Sequence, residues 1–451
     1  MTARVAVIGG GVAGLATAHR LLDAGIDPVV FEREPVVGGV LAPPLEVGDL
    51  MLEPGPDSLA ARKPWGVELG DELGIRWVEP GASGAFVWTP GGLVRTLRGA
   101  PFGIPGDVGD VLRWPGLSRA GRLRALGDLV IRKRPGSAPE ETIGGLLRRR
   151  LGDQATDRAI GPLLAGLHAG DVDRLSAAAT FPELLAWEAA QGSLIRGAQA
   201  AERAARRVDA GPLFRRPRGG MRALVDALAA ALGDRVVTRA EVVGADAHEV
   251  RLRDGVRAVD AVVLACRAAA AATILDAAAP PELGAIRSVS TAVVFLVYPS
   301  GTADALADGT GFVVPRGAAP MTAATFLSRK WPDPAFGDRA VIRCYVGGDG
   351  FEDVVEEPDA DIVDACARHL SAVLDLPSPN ASRVHRWRGA MPQYEVGHAG
   401  RVDAIRAALP PGIFVVGCDL DGVGVSDLAR AAGGTAERVF VHVGEPRKEP
   451  A

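Results

Sequence analysis

Gly9-Gly10-Gly11-Val12-Ala13-Gly14 has the form G-x-G-x-x-G, and each of its three fixed glycines answers a physical need. The first permits a tight turn, the second lets the backbone approach a pyrophosphate, and the third lets a helix pack closely on a strand. The free N–H groups at the start of that helix, with the positive end of its dipole, then face anionic phosphate. Glu32 follows eighteen residues after Gly14, where a carboxylate can take the hydroxyls of a ribose. Together these residues predict a dinucleotide site and leave open whether the dinucleotide is NAD or FAD. No Ser/His/Asp set, no H-E-x-x-H and no usefully spaced carboxylate pair stands beside it. Cys266, Cys344, Cys366 and Cys418 lie far apart without a C-x-x-C, so neither a disulfide framework nor a metal site is expected.

The elements that must position this loop read as a βαβ unit: a strand Val5–Ile8, a helix Leu15–Ala24 stopped by Gly25, and a strand Pro28–Glu32. Glycine and proline dominate from Gly38 to Asp57, which predicts a long ordered loop. Residues 106–207 turn helical and arginine-rich, predicting a separate helical lobe. Phe214–Gly220 reads as a turn before an amphipathic helix Met221–Leu232, followed by short strands at Val236-Val237 and Val242-Val243. Apolar runs at Asp260–Ala265 and Gly412–Cys418 read as buried strands of a parallel sheet covered on both faces. Residues 287–350 alternate strand-like runs with turns, predicting a second, antiparallel or mixed sheet, and Ser426–Phe440 reads as a closing helix. The fold class is α/β.

Composition narrows the function classes. The chain has 451 residues, 48% hydrophobic and 23% charged, enough for about three lobes at roughly 150 residues each. Lys and Arg number 50 against 55 Asp and Glu, a net charge of −5, which supplies no field for holding nucleic acid. Met1-Thr2-Ala3-Arg4 runs straight into a strand, leaving no room for a signal peptide and predicting a cytoplasmic protein. The longest nearly apolar stretch, Ala261 to Leu275, is broken by Arg267 and falls short of the roughly 20 residues that span a bilayer.

Six residues past Glu32, Gly38-Gly39 completes E-x5-G-G, which resembles the second phosphate and flavin contact of the FAD-dependent amine oxidase and protoporphyrinogen oxidase superfamily. Near the C-terminus, Gly412 to Asp419 followed by Gly422-Val423-Gly424 has the form of that superfamily's flavin-closing strand, glycine and helix. Five blocks resemble its protoporphyrinogen and coproporphyrinogen III oxidases in order and separation: Glu53–Ser58 with Ala61–Pro64; Thr142–Gly170 with Leu175-Ser176 and Thr180–Pro182; Pro217–Leu232; Met391–His398; and Gly417–Leu428.

The resemblance implies FAD as cofactor and a discontinuous Rossmann-like FAD-binding domain of residues 1–80, 208–270 and 385–451. A mixed-sheet substrate domain of 81–105 and 271–384 and a helical lobe of 106–207 would complete the chain. It places Gly9, Gly10, Gly11, Val12, Ala13, Gly14, Glu32 and Arg33 on the adenosine diphosphate half. Gly39, Val40, Gly55, Pro56, Asp57 and Ser58 would lie along the pyrophosphate and flavin, Val242 at the adenine through its backbone, and Val423, Gly424 and Val425 at the flavin ring. The implied activity is oxidation of a porphyrinogen to a porphyrin in heme biosynthesis. Hydride would pass to the flavin in two-electron steps, and molecular oxygen would reoxidise it to give hydrogen peroxide. Coproporphyrinogen III is preferred over protoporphyrinogen IX because the chain reads as soluble and bacterial. The alternatives are a flavin amine oxidase or desaturase-like enzyme, although with 3 tyrosines an aromatic cage is hard to build, and a noncatalytic FAD-binding partner of the pathway. Passing contact with the next heme-pathway enzyme, and a peripheral membrane contact, belong to the same expectation.

The chain departs from the family at Val40, where relatives often have Arg or Lys, at Leu428, often Cys, and at Ala85, where some carry a substrate-anchoring arginine. Arg95 and Arg98 are the nearest candidates for holding substrate carboxylates, and no residue is assigned a catalytic role, since the cofactor carries the difficult chemistry. His398 and His168 are expected to be structural, the latter filling a position where relatives usually have an aromatic or small residue. Cys418 is expected not to link covalently to flavin, and the arginine-rich helices from Arg119 to Arg150 to be a solvated face.

Overall fold

The computed structural model describes residues 2–97, 100–136, 139–207 and 211–444. A five-stranded parallel sheet runs Val236–Val237, Asp27–Phe31, Arg4–Ile8, Ala261–Leu264, Ile413–Val415. Its two central strands are apolar and buried from Val5 to Ile8 and from Ala261 to Leu264 because both faces are covered. Val5, Val7, Ala261 and Val263 pack against helices Val12–Asp23, Arg222–Leu232 and Val425–Gly444. Ala6, Ile8, Val262 and Leu264 pack instead against the meander Val242–Ala245, Glu249–Leu252, Gly255–Ala258 and the helix Ala268–Leu275. Residues far apart in sequence therefore meet at one sheet edge, where the ends of strands 4–8, 261–264 and 413–415 present their loops.

The second sheet has seven strands in the order Ala381–Pro392, Ser288–Val297, Val341–Gly347, Ala323–Phe326, Gly311–Val313, Phe86–Thr89, Gly92–Arg95. All neighbours are antiparallel except Gly311–Val313 with Phe86–Thr89, so the sheet is mixed. Helix Asp359–Leu374 covers one face through Ile362, Cys366 and Leu370.

Two local readings of the sequence are corrected. The glycine- and proline-rich stretch after Gly38 carries a hairpin, Leu45–Val47 with Leu50–Leu52, turning at Gly48 with φ +63. Its alternating Leu45, Val47, Leu50 and Leu52 pack under Phe295 and Val297 of the second sheet, a burial that outweighs the local breakers. Phe214–Pro217, expected as a turn, is a strand pairing with Leu59–Ala60 and Trp77–Val78.

Helices between Val108 and Arg207 enclose a core of Ile143, Leu146, Leu147, Leu151 and Leu184. Through that core runs a fully buried ion pair, Arg150 Nε to Asp128 Oδ1 at 2.5 Å, both side chains 0% exposed. Asp128 also accepts from Ser193 Oγ at 2.5 Å and from the N–H of Ile195 at 2.9 Å. The expected solvated arginine face is thus only partly so: Arg148 pairs with Asp157 and Asp173 at the surface, while Arg150 is spent inside. Among the described residues no helix is long and apolar enough to cross a membrane.

Candidate active site

The glycine loop has the geometry its spacing predicts. A Cβ on Gly9, which has φ +114, would meet Ala265 O at 2.8 Å, so the turn is closed against the neighbouring strand. A Cβ on Gly14 would collide with the carbonyl oxygen of Gly9, which is the close helix-on-strand approach. Around a Cβ on Gly11 nothing lies within 4 Å, and Gly11 caps the helix Val12–Asp23 without a side-chain hydrogen bond or an acidic first turn. Free N–H groups at an open helix start are what a pyrophosphate needs.

Glu32, at the tip of its strand, accepts from Gly10 N–H at 2.7 Å through Oε2 and from Glu34 N–H at 2.9 Å through Oε1. Arg33 is exposed and pairs with Glu34 at 3.2 Å. Gly38 N–H donates to Gly10 O at 2.7 Å, and a Cβ on Gly39 would touch Gly11 Cα at 3.4 Å, so the second glycine pair lies against the first. Val40 follows, exposed, and Gly55 packs on its carbonyl without room for a Cβ. The loop Gly55–Ser58, with Pro56, is held from the second sheet and from the short helix Leu327–Lys330 beside it: Lys330 Nζ donates to Asp57 Oδ1 at 2.9 Å and Arg343 Nη1, on strand Val341–Gly347, to Gly55 O at 2.6 Å. Burial pushes the Asp57 carboxyl up, but the charges of Lys330 and Arg343 beside it prevail and hold it well below the usual carboxylate range. Val242 begins the meander, at a bulge against Leu252.

At the same ends of the strands, the segment 417–425 follows strand Ile413–Val415. Arg267 pairs with the buried Asp419 at 2.7 Å and also binds Ala390 O and Ser288 Oγ, each at 2.6 Å. Tyr394, 2% exposed, donates its hydroxyl to Cys418 O and accepts from Gly422 N–H at 2.9 Å. Asp421 is held by Arg406 and caps Gly417 N–H at 3.0 Å. Val423 and Gly424 are half-buried and Val425 is buried, opening the helix Val425–Gly444. In that helix's first turn Asp427 pairs with Lys63 at 2.9 Å.

Burial pushes the thiols next to this opening up, Cys266 to about 12 and Cys418 to about 11, in both cases against a charged arginine and in the same sense as nearby Asp419. Neither is a ready nucleophile near neutral pH. His398 stacks on Tyr394 with centroids 4.0 Å apart, and His168 meets Tyr394 at 5.8 Å and Phe181 at 5.7 Å. Arg95 is spent on Asp308 at 3.4 Å, on Ser83 O and on the face of Phe86. Arg98 lies outside the described residues. Sequence reasoning gave no role to Arg267, Tyr394, Lys63, Lys330 or Arg343; the partners that tie them to the site lie between 24 and 364 positions away, and only Tyr394 and Lys63 stood inside blocks already singled out.

The profile of the family described as flavin containing amine oxidoreductase matches residues 12–439. The chain belongs to that family. A flavin family and a βαβ unit shaped for adenosine diphosphate together give FAD as the cofactor of this flavin amine oxidoreductase. The crevice, open at Gly11 and walled where Gly9, Gly14 and Gly55 admit no side chain, fits such a dinucleotide. Similar proteins extend over nearly the whole length. The coproporphyrinogen III oxidase of Bacillus subtilis (strain 168) is 31% identical over 94% of this chain and 95% of its own. That of Mycobacterium tuberculosis (strain ATCC 25618 / H37Rv) is 34% identical over 95% of each. A crystal structure from Exiguobacterium sp. 255-15, assigned as a protoporphyrinogen oxidase, superimposes with a TM-score of 0.85 at 28% identity, covering 98% of this chain and 99% of that one. The flavin amine oxidoreductase described here is an oxidoreductase with the α/β architecture of these neighbours.

Proposed function

We propose that this flavoprotein oxidises a porphyrinogen to a porphyrin, with coproporphyrinogen III as preferred substrate and molecular oxygen as acceptor, releasing hydrogen peroxide. The observation that carries the reading is similarity to coproporphyrinogen III oxidases at 31% and 34% identity over nearly the whole of both chains. In this reading Gly9 to Gly14 and the start of the helix Val12–Asp23 bind the pyrophosphate, Glu32 and Arg33 the adenosine, and Val242 the adenine. Gly39, Val40 and Gly55 to Ser58 line the chain toward the flavin, and Val423 to Val425 meet its ring. Bound there, FAD supplies the acceptor for hydride from a carbon centre.

The protein's own contribution is position and electrostatics. Arg267 and Tyr394 fix the loop 417–424 through Asp419, Cys418 O and Gly422 N–H. The twenty-residue helix Val425–Gly444 directs the positive end of its dipole at that loop, which favours negative charge gathering on a reduced ring. Lys63 compensates Asp427 in the first turn, so the dipole is not cancelled. Lys330 and Arg343 tie the opposite wall to the second sheet. Macrocycle and oxygen would enter between that sheet and the closing loop, and Arg95 could take a propionate only by leaving the exposed Asp308 with which it pairs. The protein would work in the cytoplasm, in passing contact with the enzyme that consumes its product. Exposed Leu112, Leu123 and Val130 on the arginine-rich lobe suit such a contact or a membrane surface.

The test is to mix the purified yellow protein in air with coproporphyrinogen III and, separately, protoporphyrinogen IX. Porphyrin fluorescence and peroxide are followed beside enzyme-free controls. Faster formation of coproporphyrin III with peroxide release supports the reading. Rates equal to the controls for both substrates reject it.

A further inference from the structure

On the face of the parallel sheet that carries the meander, a cavity of about 1020 Å³ runs along the strand Asp27–Phe31. One wall is Val29, Phe31 and Val237 of the sheet; the other is Leu252 and Val259, in and just after the meander. A strand inside a parallel sheet normally has both faces covered. Here Val29 is only half-buried, and Val237, on the edge strand, is 38% exposed. The space is an open slot with apolar sides, of the size that takes a ligand.

The slot is not the cofactor crevice. Arg4 and Asp27 are partners at the start of their strands, away from the glycine loop, and both line the slot. At about 3.3 Å per residue the strand carries it roughly 13 Å from Asp27 to Phe31. Of the residues assigned above to FAD, only Arg33 lines it.

Five arginines and four carboxylates ring the slot. Each carboxylate already has an arginine: Asp27 pairs with Arg235 at 3.1 Å, Glu34 with Arg33 at 3.2 Å, Glu241 with Arg253 at 2.5 Å and Asp254 with Arg257 at 3.9 Å. That leaves Arg239 without a carboxylate among the described residues. Its backbone is held in the left-handed region, φ +55, by its own N–H on Glu34 O at 3.1 Å and by Ala240 N–H on Glu32 O at 2.8 Å. Such a conformation is costly for a residue with a side chain, and it sets Arg239 on the slot's rim at the glycine-loop end. Arg4 stands at the other end, where Asp260 accepts its backbone N–H at 2.9 Å.

We propose that this slot binds a carboxylated tetrapyrrole, the porphyrin product, with its macrocycle between the apolar walls and propionates on Arg239 and Arg4. Two walls of β-structure facing each other select a flat apolar body, and arginines at both ends select carboxylates. Coproporphyrin III has a propionate on each of its four pyrrole rings, so one can reach either end. The identity of the occupant rests on the porphyrinogen reading above.

The test uses FAD-loaded protein, so that the crevice is filled. Equilibrium dialysis measures coproporphyrin III binding to the wild type, to the double variant Arg4→Ser/Arg239→Ser and to Val237→Glu, with the initial rate on coproporphyrinogen III read beside it. The wild type should bind one porphyrin at the flavin and a second in the slot. Both variants should keep their flavin and initial rate while the second site weakens at least about tenfold. Laurate, a carboxylate without a flat body, should not displace the second porphyrin. Binding that is the same in wild type and variants overturns the proposal, as does displacement by laurate. Val237→Glu leaves every arginine in place, so it carries the test if the double variant fails to fold. A wild type that oxidises neither porphyrinogen, yet binds a porphyrin that the variants lose, removes the reading and keeps the slot. One that turns over and binds a single porphyrin, unaltered in the variants, does the reverse.

Discussion

Lys63 sets its ammonium 2.9 Å from both carboxylate oxygens of Asp427, across 364 positions of sequence and at the first turn of the helix that closes the cofactor crevice. Asp427 is the less exposed partner, 16% against 42%. Its side chain also presses on Gly422 and Gly424. With the flavin ring at Val423–Val425 as proposed, the carboxylate would stand where negative charge accumulates on reduction, and the lysine would neutralise it.

Lys63→Met should lower the midpoint potential of the bound flavin by about 30 mV, roughly a tenfold shift in a two-electron equilibrium. Asp427→Asn should raise it by a comparable amount, and the double variant should return close to wild type. Spectroelectrochemistry of the four proteins measures the cycle, and a potential that ignores Lys63→Met removes the electrostatic role.

Gly11 and Gly14 should fail differently. With nothing within 4 Å of its would-be Cβ, Gly11→Ala leaves the apoprotein's thermal midpoint almost unchanged while its methyl intrudes on the pyrophosphate, weakening FAD at least about tenfold. Gly14→Ala collides with the Gly9 carbonyl and should destabilise the apoprotein itself by about 1–3 kcal/mol. Urea unfolding of both apoproteins, with FAD titrations, separates the two effects.

Acid should destabilise the protein before its carboxylates titrate. Burial, then Lys63, takes His168 down to about 4, and burial, then Arg401, takes His398 down to about 4, from 6.5 when unfolded. Between those values the unfolded chain binds the extra protons, so the contribution is complete above about pH 6.5 and is lost as pH falls toward about 4. The slope is about 1.4 kcal/mol per pH unit for each histidine. Urea midpoints at pH 7.5 and pH 5 check it, and His168→Phe should flatten the dependence.

Breaking the buried pair of the helical lobe should cost more than any surface charge. Asp128→Ala takes the nearest carboxylate from the 0% exposed Arg150 guanidinium, leaving it only Glu188 at 3.4 Å, and removes the acceptor of Ser193 Oγ and Ile195 N–H, a loss of about 3 kcal/mol. Arg368→Ala, whose exposed pair with Asp364 is solvated, should cost under about 1 kcal/mol. Calorimetry distinguishes them.

Flavin should leave the protein on acid precipitation and appear in the supernatant. The thiol of Cys418, pushed up to about 11, is not poised to attack the ring. Yellow colour retained in the washed pellet would overturn this.

Much of the cofactor half was legible because its determinants are local. The three glycines, the strand before them and Glu32 lie within a few dozen residues, and Gly9 and Gly14 make the tight turn and the close helix approach that their spacing implies. The hairpin Leu45–Leu52 was hidden because glycine and proline density reports local stiffness, whereas the hairpin is held by a distant sheet through Phe295 and Val297. Arg267 looked like a flaw in an apolar run, and its meaning came from Asp419, 152 positions on. The triple Arg148-Arg149-Arg150 read as one solvated face. Yet at 100° per residue three consecutive side chains point three ways, and the third points at Asp128.

The parallel sheet places Arg4–Ile8 beside Ala261–Leu264, and that beside Ile413–Val415. During synthesis the ribosome therefore delivers the glycine loop first and waits some four hundred residues for the strand and loop that complete the crevice. A nascent chain can shape the cradle for the adenosine end long before it can enclose the reactive end, so capture of a fully shielded cofactor is a late event in its biogenesis. Truncations ahead of Gly412 are then expected to leave any flavin they hold open to solvent.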